Sequence, residues 1–159
     1  MVRICFLALA AIMAVSPALG ATHKSRRLAD APAGDVVSAD DQKTLSDGFA
    51  PFDQAAAEGW EPAGEPVFLS TPQDMPAGAP LTLQPGAYRV VVLCDCDMME
   101  VTLLKPDNQT IAAERSDNRR AMYSLDAPAA GAYLVGIDMD DCPKTACAIG
   151  VKVYRKSGG

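Results

Sequence analysis

The residues best equipped for chemistry are Cys94-Asp95-Cys96-Asp97, where the aliphatic run of VVVLCDCDMMEV (Val90 to Val101) ends. Two thiols and two carboxylates at alternate positions suit a metal site, a dithiol redox pair, or one half of a disulfide clamp. A second pair, Cys142 and Cys147, follows with four residues between the thiols. Zinc ribbons use other spacings, and Cys-x-Cys with Cys-x4-Cys fits them poorly. A redox dithiol needs a thiol pKa lowered by cations or a helix N-terminus. Here Asp95, Asp97 and Glu100 act in the opposite direction. The residue types therefore favour two structural disulfides over a small thiol-disulfide enzyme using Cys94-x-Cys96.

The compartment agrees with that choice. Arg3 opens a short basic region, Ile4 to Val15 is an apolar run, and Ser16-Pro17 breaks it before the small residues Ala18, Gly20 and Ala21. This is the pattern of a secretory signal peptide over residues 1–21, cleaved after Gly20 or Ala21. The run is shorter than the ~20 apolar residues a membrane-spanning helix needs. Cys5 precedes it and leaves with the signal, so four of the five cysteines remain. An even number in an oxidising compartment implies disulfides. The expected location is periplasmic or secreted.

Removing Arg3 leaves 13 of the 14 Lys and Arg against 20 Asp and Glu, a net charge of −7. That balance argues against nucleic acid or an anionic membrane surface as a partner. Cleavage after Ala21 leaves 138 of the 159 residues, enough for one domain with a tail.

Residues 22–37 contain KSRR and Ala-Pro-Ala-Gly-Asp without apolar periodicity and are expected to be a dispensable, disordered leader. Within 38–60, Ser38-Ala-Asp-Asp41 can cap a helix, and Leu45, Phe49, Phe52, Ala56 and Trp60 recur at helical spacing. Gly48 and Pro51 predict two short helices, the second ending at Gly59, with the apolar stripe packed on the protein's own core. Glu61 to Pro66 reads as a linker. From there the period becomes alternating. Strands are expected at Val67–Ser70, Leu81–Leu83, Tyr88–Cys94, Met98–Leu104, Ile111–Glu114, Met122–Leu125, Tyr133–Asp138 and Ala148–Tyr154. The turns between them carry Pro, Gly, Asn and Asp, including Pro106-Asp107-Asn108. Short strands at this spacing argue for a mainly β chain, an antiparallel sandwich over 66–155. Tyr88, Val90 and Val92 share one inward face, as do Tyr133, Val135 and Ile137.

LQPGAYRVVVLCDC, VTLLKPDNQ, APAAGAYLVGIDM and CAIGVKVY resemble the bacterial pre-peptidase C-terminal domain. The family pattern is a Pro-Gly-x-Tyr strand, a Leu-x-Leu-x-x-Pro-x-Gly hairpin and a Pro-x-x-Gly-x-Tyr strand. The similarity is greatest to a cysteine-bearing periplasmic branch, with a Cys-Asp…Cys cluster after the first long strand and Cys-x4-Cys before the last. It covers Leu81 to Tyr154, and Asn108 stands at the hairpin glycine. The resemblance implies a jelly-roll-like sandwich serving as an accessory module on secreted proteins, without catalysis of its own.

If the Tyr88 strand runs upward, an antiparallel meander brings Cys94–Asp97, Ser116–Arg120 and Met139–Cys147 to one rim. Residues two apart in an extended chain lie near the upper limit for a disulfide. Cys94 and Cys96 are therefore expected to reach across to Cys142 or Cys147, each bridge stabilising by about 4 kcal/mol in the chain-entropy model. A local Cys142–Cys147 bridge, worth about 2 kcal/mol on that model, stays open. The rim also collects Asp95, Asp97, Asp138, Asp140 and Asp141, oxygen ligands of the kind Ca²⁺ takes. Solvated loop carboxylates are the simpler reading, and no other cofactor is implied. His23, the only histidine, lies in the leader, so no Ser-His-Asp or Cys-His arrangement exists. Arg115, Arg119 and Arg120 either contact an anionic ligand or solubilise their loop. The sequence thus describes an exported, non-catalytic module whose rim binds a protein or glycan, with a Ca²⁺-dependent module or a thiol-disulfide enzyme as alternatives.

Overall fold

A computed structural model of the chain describes residues 36–158 apart from 57, 58, 74, 106, 108 and 128. The expected signal peptide, the leader as far as residue 35, and Pro106 and Asn108 of the expected turn lie outside these residues.

The first element is a single helix, α1 (Ala39–Ala56). Ser38 caps it: the Asp41 N–H donates to Ser38 Oγ at 3.2 Å, and the Ser38 hydroxyl donates to Asp41 Oδ2 at 2.7 Å. Asp40 and Asp41 add negative charge where the helix dipole is positive. The expected break at Gly48 and Pro51 does not occur, and Trp60 stands in a strand beyond the helix. Pro51 costs the helix about 3 kcal/mol. Anchors on both sides of it outweigh that cost. Before it, Leu45 and Phe49 are buried; after it, Asp53 Oδ1 accepts from Lys152 Nζ at 2.6 Å and from the Tyr154 hydroxyl at 2.9 Å. Full burial of one such apolar side chain is alone worth ~1.5–3 kcal/mol.

Nine strands follow: β1 (Trp60–Pro62), β2 (Val67–Pro72), β3 (Ala77–Leu83), β4 (Gly86–Cys94), β5 (Met98–Leu104), β6 (Thr110–Ser116), β7 (Arg120–Ala127), β8 (Gly131–Asp140) and β9 (Ala146–Lys156). They form two antiparallel sheets. One has the order β1/β2-β9-β4-β7 and the other β3-β8-β5-β6. The pairs β5–β6, β4–β7, β3–β8 and β2–β9 are each nearly symmetric about the turn at Asp107. The chain is therefore one long hairpin rolled up on itself, which is a jelly roll.

Residues expected as a linker take part in the sheet. Pro62 pairs with Tyr154 and Val67 with Val151, so residues 63–66 stand opposite only two residues of β9. Thus β1 and β2 are two halves of one edge strand separated by a wide bulge, bridged where Ala63 N–H donates to Val153 O at 2.8 Å. The first half of β3, Ala-Gly-Ala-Pro, has little strand propensity and escaped sequence reading. It sits on a sheet edge, where Pro80 is tolerated.

The sandwich interior holds Tyr88, Val90 and Val92 from one sheet against Val101, Val135 and Ile137 from the other. Tyr123 ties the layers together, its hydroxyl donating to Val101 O at 2.8 Å. Burial pushes that phenol well above its ordinary pKa. Tyr88 and Tyr133 donate to Gln84 O and Ala129 O, each fastening the start of its own strand. A second core lies outside the first sheet, where Leu45 and Phe49 meet Val91, Leu93, Ala148 and Tyr154. This explains the unbroken VVVLC run: β4 is covered on both faces. Gly48 and Gly150 permit the contact. A Cβ at Gly48 would lie 3.0 Å from Leu93 Cδ1, and one at Gly150 would lie 3.0 Å from the Phe49 ring.

Val37, assigned above to the leader, belongs to this second core and is buried, whereas Val36 beside it is 97% exposed. Val37→Ala should lower the unfolding free energy by about 1–2 kcal/mol. Val36→Ala should leave it unchanged within ~0.5 kcal/mol. Urea unfolding of the two variants checks this.

Candidate functional site

The strand directions bring the expected loops to one rim. Cys94 N–H donates to Arg119 O at 3.0 Å, Asp95 N–H to Ala148 O at 3.1 Å, and Asp97 N–H to Asp141 O at 3.3 Å. Three connections, β4–β5, β6–β7 and β8–β9, are thus tied together by backbone hydrogen bonds. Asp141, in a left-handed conformation at φ 56°, opens the last of them.

The disulfides are local. Cys94 pairs with Cys96 and Cys142 with Cys147, at Cα separations of 5.3 and 5.6 Å. The expectation of bridges across the rim fails because it assumed an extended chain through Cys94-Asp95-Cys96. Asp95 bends the chain there. Its N–H closes the last rung of the β4–β9 ladder, and its Oδ1 accepts from Ala148 N–H at 2.8 Å, where a continuing strand would offer a backbone carbonyl. With pairing ended by a side chain, the backbone turns, and Cys96 falls within the normal disulfide range. In the chain-entropy model each short loop is worth about 2 kcal/mol. Cys96 and Cys147 are fully buried, and Cys94 is nearly so. At Cys94–Cys96, burial denies a thiolate the direct approach to sulfur that exchange requires, whereas Cys142 is half-buried.

The five aspartates share the rim but not a focus. Along β8, Ile137 and Met139 point inward, which sends Asp138 and Asp140 to the outer face of their sheet. Asp138 stands opposite Glu100 in the ladder, and Asp140 lies 3.8 Å from Arg115 Nη2. Asp97 meets Arg119 at 3.3 Å, both largely exposed. Asp95 turns towards β9, with Oδ2 buried and unpaired. Among the described residues no three His, Cys, Asp or Glu side chains are grouped to hold a metal ion. The loops that carry these carboxylates meet, but strand alternation separates the directions of the side chains.

The concave feature at this end is a cleft of about 320 Å³ between α1 and the outer face of the first sheet. Thr44, Leu45, Gly48 and Phe52 form the helix wall, Leu93 and Ala148 the floor, and Asp95, Arg119 and Arg120 the rim side. Asp41 closes one corner. It accepts hydrogen bonds from Lys144 and Ser38, which hold its carboxyl below the usual carboxylate range, while Asp41 raises Lys144. Sequence reading named Arg119 and Arg120 but missed the helix wall. Asp41 and Lys144 are 103 positions apart, and no local signal joins them.

No protein-family model matches the chain, and neither does any curated protein. Among solved structures it is similar to PliG from Aeromonas hydrophila, a periplasmic lysozyme inhibitor of g-type lysozyme. That match has a TM-score of 0.41 at 15% identity and covers 60% of this chain and 89% of PliG. It is also similar to the CBM22-1–GH10 modules of the Clostridium thermocellum endo-1,4-β-D-xylanase 10B, complexed with xylohexaose. There the TM-score is 0.36 at 16% identity, with 64% of this chain and 27% of the other covered. At such values the likenesses carry no inference about ligand or activity.

Two measurements test the rim. Asp95→Ala leaves the Ala148 N–H without its acceptor and should destabilise by about 1–3 kcal/mol, whereas Asp95→Asn keeps an oxygen there and should cost less. Thermal melts in EDTA, millimolar Ca²⁺ and millimolar Mg²⁺ should coincide, since the carboxylates diverge; a rise in Ca²⁺ alone would show that they can converge.

Proposed function

We propose that the protein is an exported, non-catalytic binding module whose partner engages the disulfide-stapled rim and the cleft beside α1. The observation that carries this reading is the construction of the rim. Three loops are joined by backbone hydrogen bonds, and two of them are closed by their own disulfides. Loops held this way lose little conformational entropy when a ligand binds, which favours affinity. Binding residues are in general concentrated on loops positioned by a rigid scaffold. The two disulfides suit an oxidising, extracytoplasmic compartment, and the signal-like N-terminus supports periplasmic or secreted delivery. No helix among the described residues is long and apolar enough to cross a membrane.

The resemblance of Leu81–Tyr154 to pre-peptidase C-terminal domains supports an accessory role. So does the chemistry of the rim. The thiol-disulfide alternative requires an accessible sulfur, yet Cys96 is sealed in the core and Cys94 is nearly so. Both protein and glycan partners fit a module of this kind.

The mature protein, denatured without reductant, should show no free thiols. It should resist mild reductant while folded and fail to turn over insulin disulfides. Immobilised on beads, it should retain a partner from the native envelope fraction, with retention lost on rim substitution and kept when residues on the opposite end are changed. Ready reduction with insulin turnover would replace the module by the enzyme.

A further inference from the structure

Resting on the module reading above, we infer that the cleft beside α1 binds the carboxy-terminal end of a peptide whose last residue is apolar. Positive charge at the cleft is left unused. Of its two carboxylates, Asp41 is engaged by Ser38 and Lys144, and Asp95 is held by the Ala148 N–H through Oδ1 while its Oδ2 is buried without a partner. Arg120 makes no side-chain hydrogen bond or ion pair among the described residues. Arg119 holds only the exposed Asp97, at 3.3 Å. Such an exposed pair is worth little and yields readily to a competing anion. A guanidinium with free donors, that of Arg120, suits a planar carboxylate, which it can take through two parallel hydrogen bonds.

Below the arginines the surface is apolar. Leu45, Phe52 and Leu93 line the cleft, and Gly48 contributes no side chain to fill it. Its volume, about 320 Å³, is at the small end for ligand sites, which run from ~300 to 1,000 Å³. That is room for an apolar side chain next to its carboxylate. A volume at that end of the range suits a short apolar group better than a long chain. An apolar group joined directly to a carboxylate, with a chain continuing outward, is the end of a peptide.

Calorimetric titration of the whole mature protein at low salt tests this with acetyl-Ala-Ala-Leu as free acid, the same peptide as C-terminal amide, and octanoate. The free acid should saturate a single site, with the amide at least tenfold weaker and octanoate weaker than the acid. Arg120→Gln should weaken the acid at least fivefold, and Thr44→Trp, which fills the cleft from an exposed helix position, should abolish binding. Arg115→Gln makes the same charge change on the other sheet and should have no effect. Equal binding of acid and amide, indifference to Arg120→Gln, or tighter binding of octanoate would overturn the assignment. If no probe binds while the wild-type rim still retains an envelope partner, the ligand class is wrong and the module stands. If neither binds, the module reading falls as well.

Discussion

The fold depends on covering the outer face of one sheet. β4 and β9 are apolar on both sides, with Val91, Leu93, Ala148 and Tyr154 directed away from the sandwich interior. A helix must therefore lie on them, and it can do so only because Gly48 and Gly150 remove the atoms that would hold it off. The contact of Phe49 with Gly150 is the centre of that arrangement. Lys152, only 14% exposed at its side chain, completes it by facing Asp53 and lying over the Phe49 and Tyr154 rings. The same contact overrides Pro51, buries Val37 and sets the position of the wall that makes the cleft.

The rim is organised on a different principle. Its disulfides span two and five positions, so each restricts the unfolded chain less than a bridge across the rim would. Their effect is local stiffness. Asp95 terminates a strand, the disulfides hold the turns on either side, and backbone hydrogen bonds pass the order from one loop to the next. A rim assembled in this way has few conformations available to it. Among the described residues, the disulfides lie at this end of the sandwich.

Charge on the molecule is arranged by alternation more than by design around an ion. The chain is acidic overall, yet its aspartates are distributed over two sheet faces and a corner, where Arg115, Arg119 and Lys144 meet three of them. At the cleft the Arg120 guanidinium and Asp95 Oδ2 both lack a partner among the described residues. Net charge therefore says little about any one part of the surface, because potential at a concave surface is set by the few groups within reach of it.

The sequence by itself determined the mainly β class, most of the strands and the gathering of three loops at one end. Alternation of apolar residues and turn chemistry are local signals, and strand direction follows from counting turns. It also determined that the Leu45-Phe49-Phe52 stripe packs inward, since helical spacing shows directly in the residues. Only the tertiary structure decided that α1 is continuous through Pro51, that residues 60–72 form one bulged edge strand, and that Cys94 bonds Cys96. Each of these turns on a partner remote in sequence: Lys152 and Tyr154 for the helix, β9 for the edge, Ala148 for the bend at Asp95. The cleft belongs to the same group, because its walls come from four elements that meet only when the hairpin rolls up.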